Sequence, residues 1–454
     1  MYIFYDFETS SRDLVGQILG YSFIVTDAQL KVKDELTGWV KLSRTQCPEI
    51  DAILINQIDL RVLQDKGESE VEAADRIYWF LDKYADKKPL LTGFNSNSFD
   101  LGFLRNLLIR NGRNPYFFGK IKNRDVLHWM RHLAFAQPDV FPWQIGSNEA
   151  GYQYYSFKLE AMATAFGCLD MPQSHDARED VLLTIAVIQA AEKKMKVKFG
   201  DYLPSSFDGE PLQNATFEMA RQKVPVYPDG ADALLHFSTR YWAPLLAGKT
   251  DRIMVDVERY LDEGAEAALR YFNLNKHGLT FESPSPDELA IFKDALTAMH
   301  DDPILKGMDY ERYFQLIHKS WDIEYQIHEM GMERIDDLRL CIEALMSKPD
   351  EYAIILQQLI QKRASGQSQE KDGYLIQLFN RFYLNNHPHP DPAHLAKYLT
   401  PRYITGTLLR DPAEFMPFAT QFERIKSMAD AAEKAENKVI AGLIWYFDIF
   451  RTRV

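Results

Sequence analysis

At 454 residues the chain is too long for one typical core and points to two or three domains. Its 46% hydrophobic and 13% aromatic content can fill them, which excludes wholesale disorder. The formal net charge of −13 argues mildly against a nucleic-acid partner, which a basic excess usually flags, but leaves room for a local basic groove. Cys47, Cys168 and Cys341 are far apart, with no CxxC and no zinc spacing, and fit a reducing compartment. No run has the length of a membrane span, and the N-terminus opens on a strand instead of a secretory leader. A soluble cytoplasmic protein is the expectation.

The chain opens with Tyr2, Ile3, Phe4 and Tyr5, an apolar, aromatic and β-branched run that reads as a buried strand. Asp6 and Glu8 follow two apart, so on a strand both carboxylates project from one face. Like charges at a buried strand end are costly unless something positive lies between them, and a hard divalent cation such as Mg²⁺ suits oxygen ligands. The plainer alternative is a surface strand end with two solvated acids.

Gly16–Val25 and Val32–Leu42 alternate as strands, residues 50–66 are short and mixed, and Val71–Tyr84 has the spacing of an amphipathic helix. Leu90–Phe94 reads as a buried strand. Polar turn formers then lead to Asp100 at the start of a helix over 101–110; that acid is either a ligand completing the Asp6–Glu8 pair or a plain helix cap. Asp139–Tyr155 reads as a loop ahead of a helix over Phe157–Phe166. A strongly apolar helix carries Asp180 one turn inside its start. His175, five residues earlier, sits about 140° round an ideal helix and belongs at the helix start instead of on Asp180's face. It either reaches over an acidic site or is structural. Asp176 and Glu179 read as capping residues. Lys193–Lys198 suits the negative end of that helix's dipole. The strand–helix alternation to about residue 200 is an α/β sheet with helices on its faces, in which ligands sit at strand ends.

Residues 204–335 change texture. Pro and Gly punctuate a loop-rich opening, and Leu234–Phe237 and Ile253–Val257 look like strands. Residues 336–454 are mostly helical: 337–346, 349–362, 373–382, 392–399 and 412–450. The longest helix is expected over 429–450, with Leu443, Ile444, Trp445 and Phe447 as a core face.

The set Asp6, Glu8, Asp100, His175 and Asp180 resembles the DEDDh exonucleases in order and spacing. Ser156-Phe157-Lys158-Leu159-Glu160, Ser174-His175-Asp176-Ala177, Arg124-Asp125-Val126-Leu127 and Phe199-Gly200-Asp201-Tyr202-Leu203 narrow the resemblance to the bacterial exonuclease I family. It is strong over 1–203 and fainter beyond. It implies an α/β, RNase H-like exonuclease domain over 1–203, a mixed sheet flanked by helices. A small β-rich SH3-like domain over 204–335 would follow, and an all-α C-terminal domain over 336–454 would close a cleft around single-stranded DNA.

The implied reaction is 3′-5′ hydrolysis of single-stranded DNA to 5′-mononucleotides in DNA repair or recombination. Asp6, Glu8, Asp100 and Asp180 would hold two Mg²⁺ ions, which Mn²⁺ could replace, with His175 as the base; unshifted, its pKa near 6.5 suits that role. Glu8, Thr9, Ser156 and Lys158 would touch substrate. Lys158 stands where the family has Arg, so bidentate phosphate contact is lost, and Ser96 stands where the family has Asn. Phe7, Phe99, Phe103 and Trp129 are expected in the core more than as stacking platforms. Further implied are a monomer, the C-terminal tail of single-stranded DNA-binding protein as a partner, and no membrane. The rivals are another DEDDh nuclease, trimming RNA or proofreading, and a non-catalytic strand-binding protein.

Overall fold

The aromatic opening of the chain becomes β1 (Tyr2–Thr9), the central strand of a five-stranded sheet ordered β3-β2-β1-β4-β5. The structure, a computed structural model, describes residues 1–12, 14, 16–147, 151, 153–168, 176–202, 212, 219–226, 236–247, 251–273, 281–309, 312–313, 333–363, 373–400, 417–431 and 437–453. β2 (Ile18–Thr26) pairs antiparallel with β1, and β3 (Val32–Trp39) antiparallel with β2. On the other side β4 (Leu90–Gly93) and β5 (Lys122–Asp125) run parallel to β1.

A parallel return needs a crossover. Here it is made by α1 (Ile50–Asn56), α2 (Leu60–Lys66) and α3 (Glu70–Ala85). The stretch expected to be short and mixed is therefore two short helices. They are separated at Gln57, left-handed at φ 55°, and restarted by the Asp59 cap. α3 starts on a capping box between Ser69 and Glu72 and buries Val71, Ala74, Ile77, Leu81 and Tyr84.

The period of two divides β1 between two layers. Ile3, Tyr5 and Phe7 pack with α3 and with α4 (Asp100–Arg110). Tyr2 and Phe4 face α5 (Val126–Ala136) and α7 (Ala177–Met195), where Val126, Trp129, Val181, Ile185 and Ile188 are buried. Each such side chain contributes roughly 1.5–3 kcal/mol by leaving water. The expected loop over 139–155 contains a small hairpin, β6 (Ile145–Ser147) with β7 (Gln153–Tyr155), before α6 (Leu159–Phe166).

The second sheet is antiparallel, ordered β11-β10-β9-β8, from β8 (Ala220–Val226), β9 (His236–Ala247), β10 (Asp251–Asp256) and β11 (Leu269–Asn273). Leu234 and Leu235 lie outside the described residues. Val257, expected to end a strand, instead begins α8 (Val257–Glu263), because Asp256 accepts from the Arg259 N–H and caps it. α9 (Ala265–Ala268), α10 (Pro286–Ile291) and α11 (Lys293–Asp301) follow; Leu296 and Met299 pack with Ala243, Leu245, Ile253 and Val255.

The C-terminal helices are α12 (Glu333–Ser347), α13 (Tyr352–Arg363), α14 (Gly373–Asn386), α15 (Pro392–Leu399), α16 (Phe418–Ala431) and α17 (Lys438–Arg451). The long helix expected over 429–450 is not formed: Asn437 is extended and caps a new helix through the N–H groups of Val439 and Ile440. Of its expected core face, Leu443 and Phe447 are buried while Trp445 is 37% exposed. Tyr446, Phe447 and Phe450 share one core with Ile50, Ile53, Leu60 and Leu63. A Cβ on Gly442 would stand 2.9 Å from the Leu60 nitrogen, so α17 approaches α2 this closely only through a glycine. Among the described residues no helix is long and apolar enough to cross a membrane.

Candidate active site

Asp6 and Glu8 extend the Tyr2–Phe4 face of β1 past the end of its core. That face is the one α7 covers, so Asp180, in the first turn of α7, comes down beside them. One carboxylate oxygen from each of Asp6, Glu8 and Asp180 lies within 4.8 Å of the others. Glu8 and Asp180 are buried, at 6% and 7% exposure, and Asp6 is half-buried. Asp176 caps α7, accepting from the N–H groups of Arg178 (3.0 Å) and Glu179 (3.2 Å). His175 lies outside the described residues.

Asp100 arrives from the opposite layer. β4 runs level with β1 only to Phe4↔Thr92, and the chain then climbs through Gly93–Phe99 to the start of α4. A Cβ on Gly93 would be 2.5 Å from the Tyr5 carbonyl oxygen, so only glycine passes there. Asp100 is not the helix cap of the plainer reading: Phe99 occupies that position and makes no side-chain cap. At 4% exposure Asp100 stands outside the close cluster of three oxygens, yet it is the largest charge acting on Asp6.

Burial first, and then Asp100, Glu8, Asp180 and Asp176, push the Asp6 pKa well above the usual carboxylate range. Burial, Asp180, Asp100 and Asp176 raise Glu8 to about 8. Asp100 also rises to about 8, mainly by burial and with a contribution from Asp125, while its own N–H and that of Phe7 pull it down. The leading charges on Asp6 and Glu8 are all other carboxylates. Such a donor set, hard anionic oxygens with no cation among the leading neighbours, fits a hard divalent cation.

No protein-family model matches the chain. Exodeoxyribonuclease I of Escherichia coli (strain K12) is 28% identical over 264 residues, 56% of this chain and 54% of that protein. The chain thus spans about half the length of the curated relatives it matches. In structure, E. coli exonuclease I in complex with a dT13 oligonucleotide matches over 99% of both chains, with a TM-score of 0.66 at 19% identity. Exonuclease I in complex with SSB-Ct matches over the same share, with a TM-score of 0.63 at 18% identity. The fold is that of exonuclease I.

Within the exonuclease I fold, Thr9 is buried where the register of β1 against β2 slips, between Glu8 and Thr9. Its hydroxyl donates to the Ser11 carbonyl (2.9 Å), and the Thr9 carbonyl accepts from Asn56 Nδ2 (2.9 Å). Ser156 is buried, with its N–H on the Gln144 carbonyl (2.9 Å), and Lys158 is exposed at the N-cap of α6, whose helix packs on α7. Phe7, Phe103 and Trp129 are core, at 5%, 0% and 1% exposure, and Phe99 is partly buried against Phe103.

Asp125, in the Arg124–Leu127 run, carries a role in the fold that its sequence does not reveal. It is 1% exposed and accepts three backbone hydrogen bonds: from Asn95 (3.0 Å) and Leu127 (2.8 Å) on Oδ1, and from Asn97 (2.8 Å) on Oδ2. Burial raises its pKa and those N–H groups draw it back, to about 6. The one local signal was an Asp directly before a helix, the position of a cap.

Proposed function

We propose that this chain is a 3′-5′ exodeoxyribonuclease that removes 5′-mononucleotides from single-stranded DNA, acting in repair or recombination in the cytoplasm as a monomer. The carrying observation is the convergence of Asp6, Glu8 and Asp180, with Asp100 beside them, at the end of β1 in the exonuclease I fold. Residues 1–203 would form the nuclease domain, 204–335 and 336–454 the two that enclose the strand.

Asp6, Glu8, Asp100 and Asp180 would hold two Mg²⁺ ions, or Mn²⁺ in their place. When bound these supply charge neutralisation, an acidified water and stabilisation of the leaving 3′-oxygen. The chain's own residues do the rest. The carboxylates set where the scissile phosphate stops, because their negative charge admits a phosphate only when they are neutralised. His175, through a ring nitrogen, takes the proton of the attacking water. Thr9 and Glu8 meet the terminal nucleotide at the bulged end of β1, and Ser156 and Lys158 meet the backbone ahead of α6. Lys158 binds phosphate as a point charge and not as a fork. The acidic tail of single-stranded DNA-binding protein is carried over as a partner from the SSB-Ct complex of the same fold.

The test is cleavage of end-labelled single-stranded DNA, duplex DNA and RNA oligomers of one sequence. Mg²⁺-dependent release of mononucleotides from the 3′ end of the single strand is expected. It should vanish in Asp180→Ala while strand binding persists. Unchanged cleavage in Asp180→Ala would refute the assignment, and preference for RNA or duplex would transfer the chain to another nuclease class.

A further inference from the structure

We infer that Asp125 is a positioning residue for Asp100: it sets the loop that delivers this acid to the metal site. The inference rests on the metal-binding reading above and deepens it. The loop from Gly93 to Phe99 anchors Phe94 in the layer of α5 and α7 and Phe99 on Phe103, and its backbone between them follows no regular element. Asn95 is left-handed at φ 61°, a conformation Asn tolerates but does not enforce. α4 begins without a side-chain cap. Ser98 Oγ turns back on the Asn95 carbonyl (3.0 Å) within the loop, and the Leu101 N–H of α4 reaches the Ser96 carbonyl (2.8 Å).

Asp125 ties the backbone of the loop to the sheet; it lies opposite Gly93 in the parallel β4–β5 pair. Both of its oxygens are engaged. Oδ2 takes the Asn97 N–H, and Oδ1 takes the N–H groups of Asn95 and of Leu127, the latter capping α5. An amide offers one oxygen, and its NH₂ would face a backbone N–H, so asparagine cannot reproduce the set. Serine keeps only half of it: one hydroxyl still caps α5 but cannot also hold the loop. The two duties of Asp125 are therefore separable by mutation.

Full-length wild-type, Asp125→Asn, Asp125→Ser and, as a control, Asp391→Ala are compared. Asp391 caps α15 through the Ala393 N–H, in the helical region. Mn²⁺ alone is titrated calorimetrically, thermal melting is followed, and kcat and KM are measured on a single-stranded oligomer. Expected is Mn²⁺ binding about tenfold weaker in both Asp125 variants, the scale seen when support behind a ligand is lost. With it kcat falls while KM stays within about twofold, the signature of lost alignment instead of lost strand binding. Asp391→Ala lowers the melting temperature and leaves Mn²⁺ affinity unchanged. Wild-type Mn²⁺ affinity in Asp125→Ser would overturn the inference and reduce Asp125 to a helix cap. If the wild type binds Mn²⁺ but cleaves no DNA, while Asp125→Ser still weakens binding, the positioning role stands and the nuclease reading falls.

Discussion

Glu8 and Glu70 are equally buried, at 6% exposure each, and their acidities move in opposite directions. At Glu70 burial pushes the pKa up, but Arg110 and Arg381 outweigh it and hold the carboxyl below its ordinary value. The contacts are short: Arg110 Nη2 to Oε1 at 2.6 Å and Arg381 Nη1 to Oε2 at 2.7 Å, the second reaching from the C-terminal helices into the first sheet's layer. At Glu8 burial is joined by Asp180, Asp100 and Asp176, and the pKa goes to about 8. Burial therefore does not assign a carboxylate its role; the sign of the charge beside it does. Glu70 has its counter-charge within the chain and is structural. Among the described residues the leading charges beside Glu8 share its sign, a setting that calls for a counter-charge from outside.

The comparison breaks most sharply at the structural acid. Glu70→Ala leaves two buried guanidiniums without their shared partner and should lower stability by about 3–5 kcal/mol, read by urea denaturation. A loss near zero would mean that the arginines reach water.

Next in size is the response of the metal-free protein to pH. Glu8 and Asp100 have pKa values raised to about 8 in the folded chain, against ordinary values of 4.5 and 3.8. Their contribution is thus fully present below about pH 4 and is lost as pH rises through about 8. Mg²⁺ supplies the missing charge, so its gain in melting temperature should be larger at about pH 8.5 than at about pH 5.5. Equal gains would argue that these acids do not share a cation.

A smaller effect of opposite sign to Glu70→Ala is expected for Glu8→Gln. Without metal at about pH 8.5 it should melt higher than wild type, because one of several like charges is gone, yet bind Mn²⁺ more weakly in a titration. A lower melting temperature would place Glu8 with Glu70 as a structural acid. Smallest is Asp391→Ala, the cap of α15, with a loss of about 1 kcal/mol and no change in metal response.

Much of this was readable in advance. The strand over Tyr2–Tyr5 is a continuous apolar run, the helix over 71–84 carries a strong period, and the pairing of Asp6 with Glu8 on one face follows from the pleat. The helix over 429–450 was misjudged because propensity alone does not mark a break: the cap at Asn437 acts through backbone N–H groups that a composition window averages away. The helices over 50–66 were too short for a period to show.

Local pattern was enough to say that two acids end a buried strand and share a face, because side-chain alternation is a property of the backbone alone. It carries nothing about which layer covers that face, nor about what stands beside a buried charge. Asp180 reaches Asp6 and Glu8 because α7 packs on the Tyr2–Phe4 side of the sheet, and Asp125 reaches the Asn95–Asn97 backbone because β4 and β5 lie side by side. Those neighbours are 28 to 174 residues apart in sequence, and electrostatic energy depends on distance through space, which chain folding alone sets.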